Sequence, residues 1–137
     1  MRVAFANRRG SGRLLVTLPM RFSIVCQKKG TVIEQSRLVP TRTVDLSRNG
    51  LAFETSSILV DGMHMTFCSD SGTSKSLEIE IALPEKGIQI KGVPLRYERK
   101  DANSKFVVGV KIIAMPAEDR RIYDAFLKAR TSLSLSK

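Results

Sequence analysis

Apolar and polar residues alternate along most of this chain with a period of two, the signature of strands half-buried on a sheet. In "LLVTLPMRFSIV", Val16, Leu18, Met20, Phe22 and Ile24 share one phase against Thr17, Pro19, Arg21 and Ser23. "SLEIEIAL" repeats the pattern, with Leu77, Ile79, Ile81 and Leu83 set against Ser76, Glu78, Glu80 and Ala82. Shorter strands are predicted over 38–46, 50–55 and 63–68. Pro19 has no N–H to donate and marks an edge or a bend. Between 88 and 97 the phase slips: Ile88 and Ile90 are even, Val93, Leu95 and Tyr97 odd, and Gly92 sits at the change. That pattern predicts a β-bulge at Gly92, bending the strand around a closing sheet. "KFVVGVKII" follows the polar turn "RKDANSK" with Phe106, Val108, Val110 and Ile112 in phase. Hairpin follows hairpin, so the sheet is expected to be antiparallel.

The period then changes. Ile122, Phe126 and Arg130 recur every four residues, with Tyr123 and Leu127 beside them, giving a helix with one apolar stripe. Pro116 suits its first turn, Glu118 and Asp119 complement its N-terminal dipole, and Lys128 and Arg130 its other end. The tail 131–137 is expected to fray. With no internal repeat, the chain reads as one domain over 1–137, its core at about 8–130 and a flexible arm at 1–13. The fold class is all-β: a small antiparallel β-barrel with one C-terminal α-helix.

Composition narrows the function. The chain has 137 residues, 42% of them hydrophobic, which suits a packed core rather than disorder. No apolar run approaches the roughly 20 residues of a membrane helix, so no membrane insertion is expected. Arginines and a glycine precede any long apolar run, which argues against a signal peptide and for a cytoplasmic protein. Cys26 and Cys68 belong to no CxxC pair, and His64 is the only histidine, so no metal site is expected. No paired carboxylates and no nucleophile with a base beside it point to an enzyme.

Charge is uneven. Residues 1–48 hold ten Lys/Arg against two acids, the remainder thirteen against eleven. The excess therefore gathers in the N-terminal third, where it implies an anionic partner.

Two polar clusters lie in that region, "RRGSGR" from Arg8 to Arg13 and "DLSRNG" from Asp45 to Gly50. Taken alone, the second is a turn, with Asp, Ser and Asn bonding their own backbone and Gly50 supplying a positive φ. If the strands before and after "KKG" at Lys28 to Gly30 pair antiparallel, paired positions sum to about sixty. Arg13 then falls opposite Leu46–Ser47, and both clusters share one end of the sheet. Arg9 and Arg13 offer planar forks for phosphate and faces for a base. Gly10 and Gly12 let the segment wrap closely, and Asp45 can accept from guanine's ring N–H and amino group. Ser47 and the backbone near Gly50 can bond a base or phosphate, with Asp45 and Ser47 expected at a solvent-facing seam. The chemistry suits an anionic, guanine-containing ligand.

Arg9 to Arg13 fits RxxxR, and Asp45 to Gly50 fits [DN]xSxxG, in this order and ahead of barrel strands. The pair resembles the PilZ domain, the bacterial receptor for cyclic di-GMP. "VVGVKII" resembles the family's late GV-containing strand, and the likeness runs from about Arg8 to Arg130. It implies that Arg9 and Arg13 grip phosphates and guanines, and that Asp45, Ser47 and Gly50 contact a base. Arg8 and Arg48 are supporting contacts. The "GSG" between the arginines is more flexible than the family's usual segment, so ordering it on binding carries an extra entropy cost. The basic piece over 26–37, "CQKKGTVIEQSR", lengthens the connection between the motifs, either as a plain loop or as a partner surface.

The expected function is thus a cyclic di-GMP receptor or adaptor, with no cofactor and no enzyme activity. With seven residues ahead of Arg8, no accessory N-terminal domain is expected. Output is expected through a protein effector, coupled by ordering of the RxxxR arm, in a monomer or homodimer. Two other classes stand beside it. One is a divergent PilZ interaction module without nucleotide binding. The other is a basic barrel for RNA or single-stranded DNA, disfavoured because aromatics are 6% of the chain and mostly in apolar phase.

Overall fold

The first ribbon of the fold turns the alternating pattern into barrel wall. In the computed structural model, which describes residues 13–68, 71–100 and 105–135, β1 (Leu14–Leu15) and β2 (Pro19–Lys28) run beside β3 (Thr31–Gln35) and β4 (Val39–Leu46). Lys29 and Gly30 turn the ribbon back with positive φ at both positions, 52° and 81°, as a tight two-residue hairpin demands. The piece over 26–37 is therefore mostly a hairpin extension of the wall. The register follows from that turn. Leu14 pairs with Leu46, Leu15 with Asp45, Met20 with Thr41 and Val25 with Gln35, all within one residue of the expected sum.

The strand expected to run unbroken from Leu14 is interrupted at 16–18. β4 carries an extra residue there: Thr43 faces Phe53 and Asp45 faces Ala52, leaving Val44 as a bulge. Thr43 patches the gap. Its N–H donates to Leu18 O (3.0 Å), while its hydroxyl donates to Val16 O (2.6 Å) and accepts from the Leu18 N–H (2.9 Å). Pro19 opens β2 just after the break, the strand position where a missing N–H is best tolerated.

β5 (Gly50–Thr55) leads through the small hairpin of β6 (Leu59–Val60) and β7 (Met63–His64) to β8 (Thr73–Ala82), β9 (Gly87–Arg99) and β10 (Phe106–Ala114). The strand expected over 63–68 ends at His64, although Met63 and Met65 are both buried. Around the wall the order is β4, β5, β10, β9, β8, β2, and β2 pairs again with β4, so six antiparallel strands close. Inside, Phe22 and Phe53 meet with ring centroids 4.8 Å apart among Ile24, Leu51, Leu77, Ile79 and Val108.

Gly92 does not mark a change of phase. Ile88, Ile90, Gly92 and Pro94 are all buried, so the even positions stay inward. A Cβ at residue 92 would collide with Val110 Cγ1, and the glycine is what lets β10 approach. The register does shift beside it, since Ile112 pairs with Gly92 and Ala114 with Lys91, leaving Ile113 over on β10. A second bulge, on β9 itself, comes three residues later. Gly109 pairs with Arg96 and Val110 with Pro94, which leaves Leu95 over and turned to solvent. Val93, Leu95 and Tyr97 are accordingly half-buried or exposed rather than core.

The helix α1 (Ala117–Leu135) continues five residues past Arg130, so Lys128 and Arg130 lie in its body rather than its last turn. Ile122, Tyr123 and Leu127 are buried, and Arg130 covers the Phe126 ring at 4.9 Å. Among the described residues no helix is long and apolar enough to cross a membrane.

Asp119 fastens the helix start to the wall, accepting from the Gln89 N–H (2.8 Å) and from Lys86 Nζ (3.2 Å). The Gln89 N–H, aided by Lys86 and opposed by burial, holds its carboxyl below the usual carboxylate range. A depressed folded-state pKa contributes stability that is present above the unfolded-state value and lost as pH falls through the folded one. Asp119→Ala should therefore cost about 1.5–3 kcal/mol near neutral pH and progressively less under acid. Urea midpoints of both proteins across an acid series measure this, and a gap that stays constant or widens toward low pH would contradict it.

Candidate functional site

The bulge at Val44 and the pairing of Leu15 with Asp45 bring the start of the described chain to the rim of the barrel. There Arg13 Nη1 donates to Asp45 Oδ1 at 2.7 Å, across 32 residues of sequence. The two side chains are 34% and 15% exposed. A pair this open adds only about 0.2–1 kcal/mol, so its main effect is to set position. It joins the last arginine of RxxxR to the acid of DxSxxG. Among the described residues Asp45 Oδ2 has no hydrogen-bond partner.

The turn after Asp45 is built differently from the expectation. Ser47 is not on the solvent face: it is 6% exposed, its N–H donates to Gly50 O at 2.8 Å and its hydroxyl to the same oxygen at 3.1 Å. Gly50 is not in the left-handed region, because the positive-φ glycines among the described residues are Gly30, Gly62 and Gly72. Its requirement is steric. A Cβ there would sit 2.8 Å from the backbone oxygen of Val110, where β5 and β10 pair closely. Arg48 and Asn49 form the exposed tip, anchored by the Ile112 N–H donating to Asn49 O at 2.9 Å.

Two helix residues complete the site, and sequence reasoning did not assign them to it. Tyr123, fully buried, donates its hydroxyl to Ser47 O at 2.7 Å. Burial pushes its phenol pKa up, so the group remains a donor. Arg120 donates to Arg48 O at 2.9 Å and to Asp124 at 3.0 Å. Periodicity placed Tyr123 in an apolar stripe, but nothing in a stripe says where a hydroxyl finds its acceptor. Lys111, exposed and paired with Gly50 across the strands, adds a further cation at this end.

The structure thus gathers Arg13, Asp45, Ser47, Gly50 and the Arg48 tip at one rim. Arg8, Arg9, Gly10 and Gly12 lie outside the described residues. A cleft of about 410 Å³ opens elsewhere, lined by 39–42, 54–56 and Lys105 at the opposite ends of β4 and β5. The rim itself is an open, cationic edge whose backbone is tied directly to the helix.

No family model matches the chain, and no curated protein matches it. Among solved structures it is similar to the Bacillus subtilis inhibitor of motility MotI/DgrA, with a TM-score of 0.59 and 21% identity, over 91% of this chain and 50% of that one. The chain therefore spans half the length of the motility inhibitor. It is also similar to the PilZ domain of YcgR from Escherichia coli with c-di-GMP, with a TM-score of 0.50 and 12% identity, over 91% of this chain and 95% of that one. The fold is PilZ-like.

Proposed function

We propose that the chain is a receptor for cyclic di-GMP that passes the signal to a protein effector without catalysing a reaction. The observation that carries this reading is the Arg13–Asp45 bond, which holds the ends of two separate motifs within 2.7 Å of each other. Two guanines and two phosphates need both forks and acceptors, and this rim offers them side by side. The likeness to a PilZ domain bound to c-di-GMP supports the same ligand. In this reading Arg9 and Arg13 take phosphate and guanine, Asp45 accepts from a guanine edge, and Arg8 and Arg48 add charge. Ser47 acts by shaping the turn, since its hydroxyl proton already bonds Gly50 O. Gly50 keeps the turn seated on β10.

The signal has two exits. In this reading binding orders the arm 1–13 against 45–50, starting from Arg13, which already bonds Asp45, by neutralising its cations, a local charge event that creates a new surface. The turn also moves the helix, because Tyr123 and Arg120 bond the carbonyls of Ser47 and Arg48.

Amide hydrogen exchange with and without cyclic di-GMP tests the proposal, with GTP as control. Protection should rise over 5–14 and 44–50 with the dinucleotide alone, while 76–83 changes little. Equal protection by GTP, or none from either ligand, would overturn the receptor reading.

A further inference from the structure

Five residue steps along β5 separate Gly50 from Thr55, about 16 Å at strand rise, and at the far end the barrel has a different surface. The β6–β7 hairpin closes this mouth. His64 Nδ1 accepts from the backbone N–H of Thr66 (3.1 Å) and Phe67 (2.8 Å), which fixes the ring. Lys75 Nζ donates to the carbonyls of His64 (2.9 Å) and Phe67 (2.7 Å), so the segment is pinned from below. On this support stands a continuous aromatic row. Phe67 lies 6.1 Å from His64, His64 5.8 Å from Tyr97, and Tyr97 5.9 Å from Phe106. Leu59, paired with His64, extends it. Phe67 is 63% exposed and Leu59 54%, while the lysine contacts hold their loop in place.

Connected apolar exposure of this kind, rimmed by charge, is typical of interaction sites rather than ordinary surface. The rim here is basic. Arg99 lies over Phe106 at 5.4 Å, and Lys100 and Lys105 flank the same strand ends. Glu54 is already held by Lys100 (2.8 Å) and Arg42 (3.4 Å), and Lys105 has no carboxylate partner among the described residues. The 410 Å³ cleft opens beside Phe106, between Lys105 and Thr55.

We propose that this far mouth is the docking surface for an acidic protein segment carrying an aromatic or aliphatic anchor. The anchor seats against Phe67 and Tyr97, and flanking carboxylates meet Lys105, which has no carboxylate partner among the described residues. A buried aromatic anchor within a charged rim is the usual anatomy of an interface hot spot. Nucleic acid fits less well. Base stacking needs open ring faces, whereas in the edge-on pairs His64–Phe67 and Tyr97–Phe106, at 83° and 79°, the edge of one ring takes up a face of the other, and Leu59 has no π-face. The proposal rests on the adaptor half of the function above and not on its ligand half.

An NMR titration of the full chain tests it, using a short synthetic peptide in which glutamates flank a Phe-Leu pair. One control replaces the glutamates by lysines, another the Phe-Leu pair by alanines, and oligo(dT) serves as the nucleic-acid probe. The acidic, anchored peptide should shift the resonances of Phe67, Tyr97, Lys105 and Phe106 and leave 45–50 unmoved. Phe67→Ala and Tyr97→Ala should each weaken it by about tenfold or more, a residue's loss at a hot spot. Silence up to about 1 mM peptide, equal binding of either control peptide, or tighter binding of oligo(dT) to the same residues would overturn the proposal. Cyclic di-GMP titrated into the same samples reads the ligand site separately, so failure of one half is distinguishable from failure of the other.

Discussion

Replacing Tyr123 by alanine should lower the free energy of unfolding by about 3–5 kcal/mol, the range for deleting a large buried aromatic side chain. Tyr123 is fully buried and is the largest such side chain of the barrel–helix junction. Two effects combine in that loss: a cavity between helix and barrel, and a Ser47 carbonyl left without its donor. Tyr123→Phe separates them. It keeps the ring and removes only the hydroxyl, at a cost of about 1–3 kcal/mol for the stranded acceptor. Urea unfolding of the three proteins measures both steps. A phenylalanine variant as stable as the parent would mean that the hydroxyl does not hold the turn to the helix, and that route for the signal would be lost.

Arg13→Ala and Asp45→Ala should each weaken cyclic di-GMP binding by about tenfold to a few hundredfold, since a charge-assisted hydrogen bond contributes about 1.5–3 kcal/mol and 1.4 kcal/mol is tenfold. Stability should move far less, because the pair is partly open to solvent. The double variant should lose less than the sum of the two. Each residue positions the other at 2.7 Å, and neighbours that share a partner are not additive. Arg21, which pairs with Glu80 on the barrel wall, is the control. If Arg21→Ala loses as much affinity, the effect is bulk charge and the site assignment is wrong.

The alternating pattern carried most of the barrel because a period of two is imposed by the pleat itself. Leu77, Ile79 and Ile81 could face nowhere but inward, and the position of Lys28–Gly30 set the register of both flanking strands. What escaped the pattern were departures in which one residue is added or one contact is tightened. The bulge at Val44 carries no compositional mark, since valine suits a strand whether or not it pairs. Gly92 and Gly50 were legible as special positions, Gly50 not for the right cause and Gly92 for only part of it, because the irregularity beside it falls on β10. Glycine signals a bend, a positive φ or a close approach alike, and here Val110 and its strand supply the close approach in both cases. Ser47 was expected on a solvent face because polar residues between strands usually are. Its burial follows from the helix lying over the turn, a tertiary fact that no local window contains. The register alone placed Arg13 opposite Leu46–Ser47, at the same end as Asp45, and that is why the candidate site was half-visible before the fold was known.

The account turns on one ligand meeting both motifs together, and calorimetric titration of the intact protein tests that claim most directly. Cyclic di-GMP should bind without added metal, and much more tightly than GTP, which has one guanine and no second base to offer the opposite motif. Arg13→Ala and Asp45→Ala should lose most of that affinity while Arg21→Ala keeps it. Comparable affinity for GTP, or no binding of either nucleotide, would contradict the account.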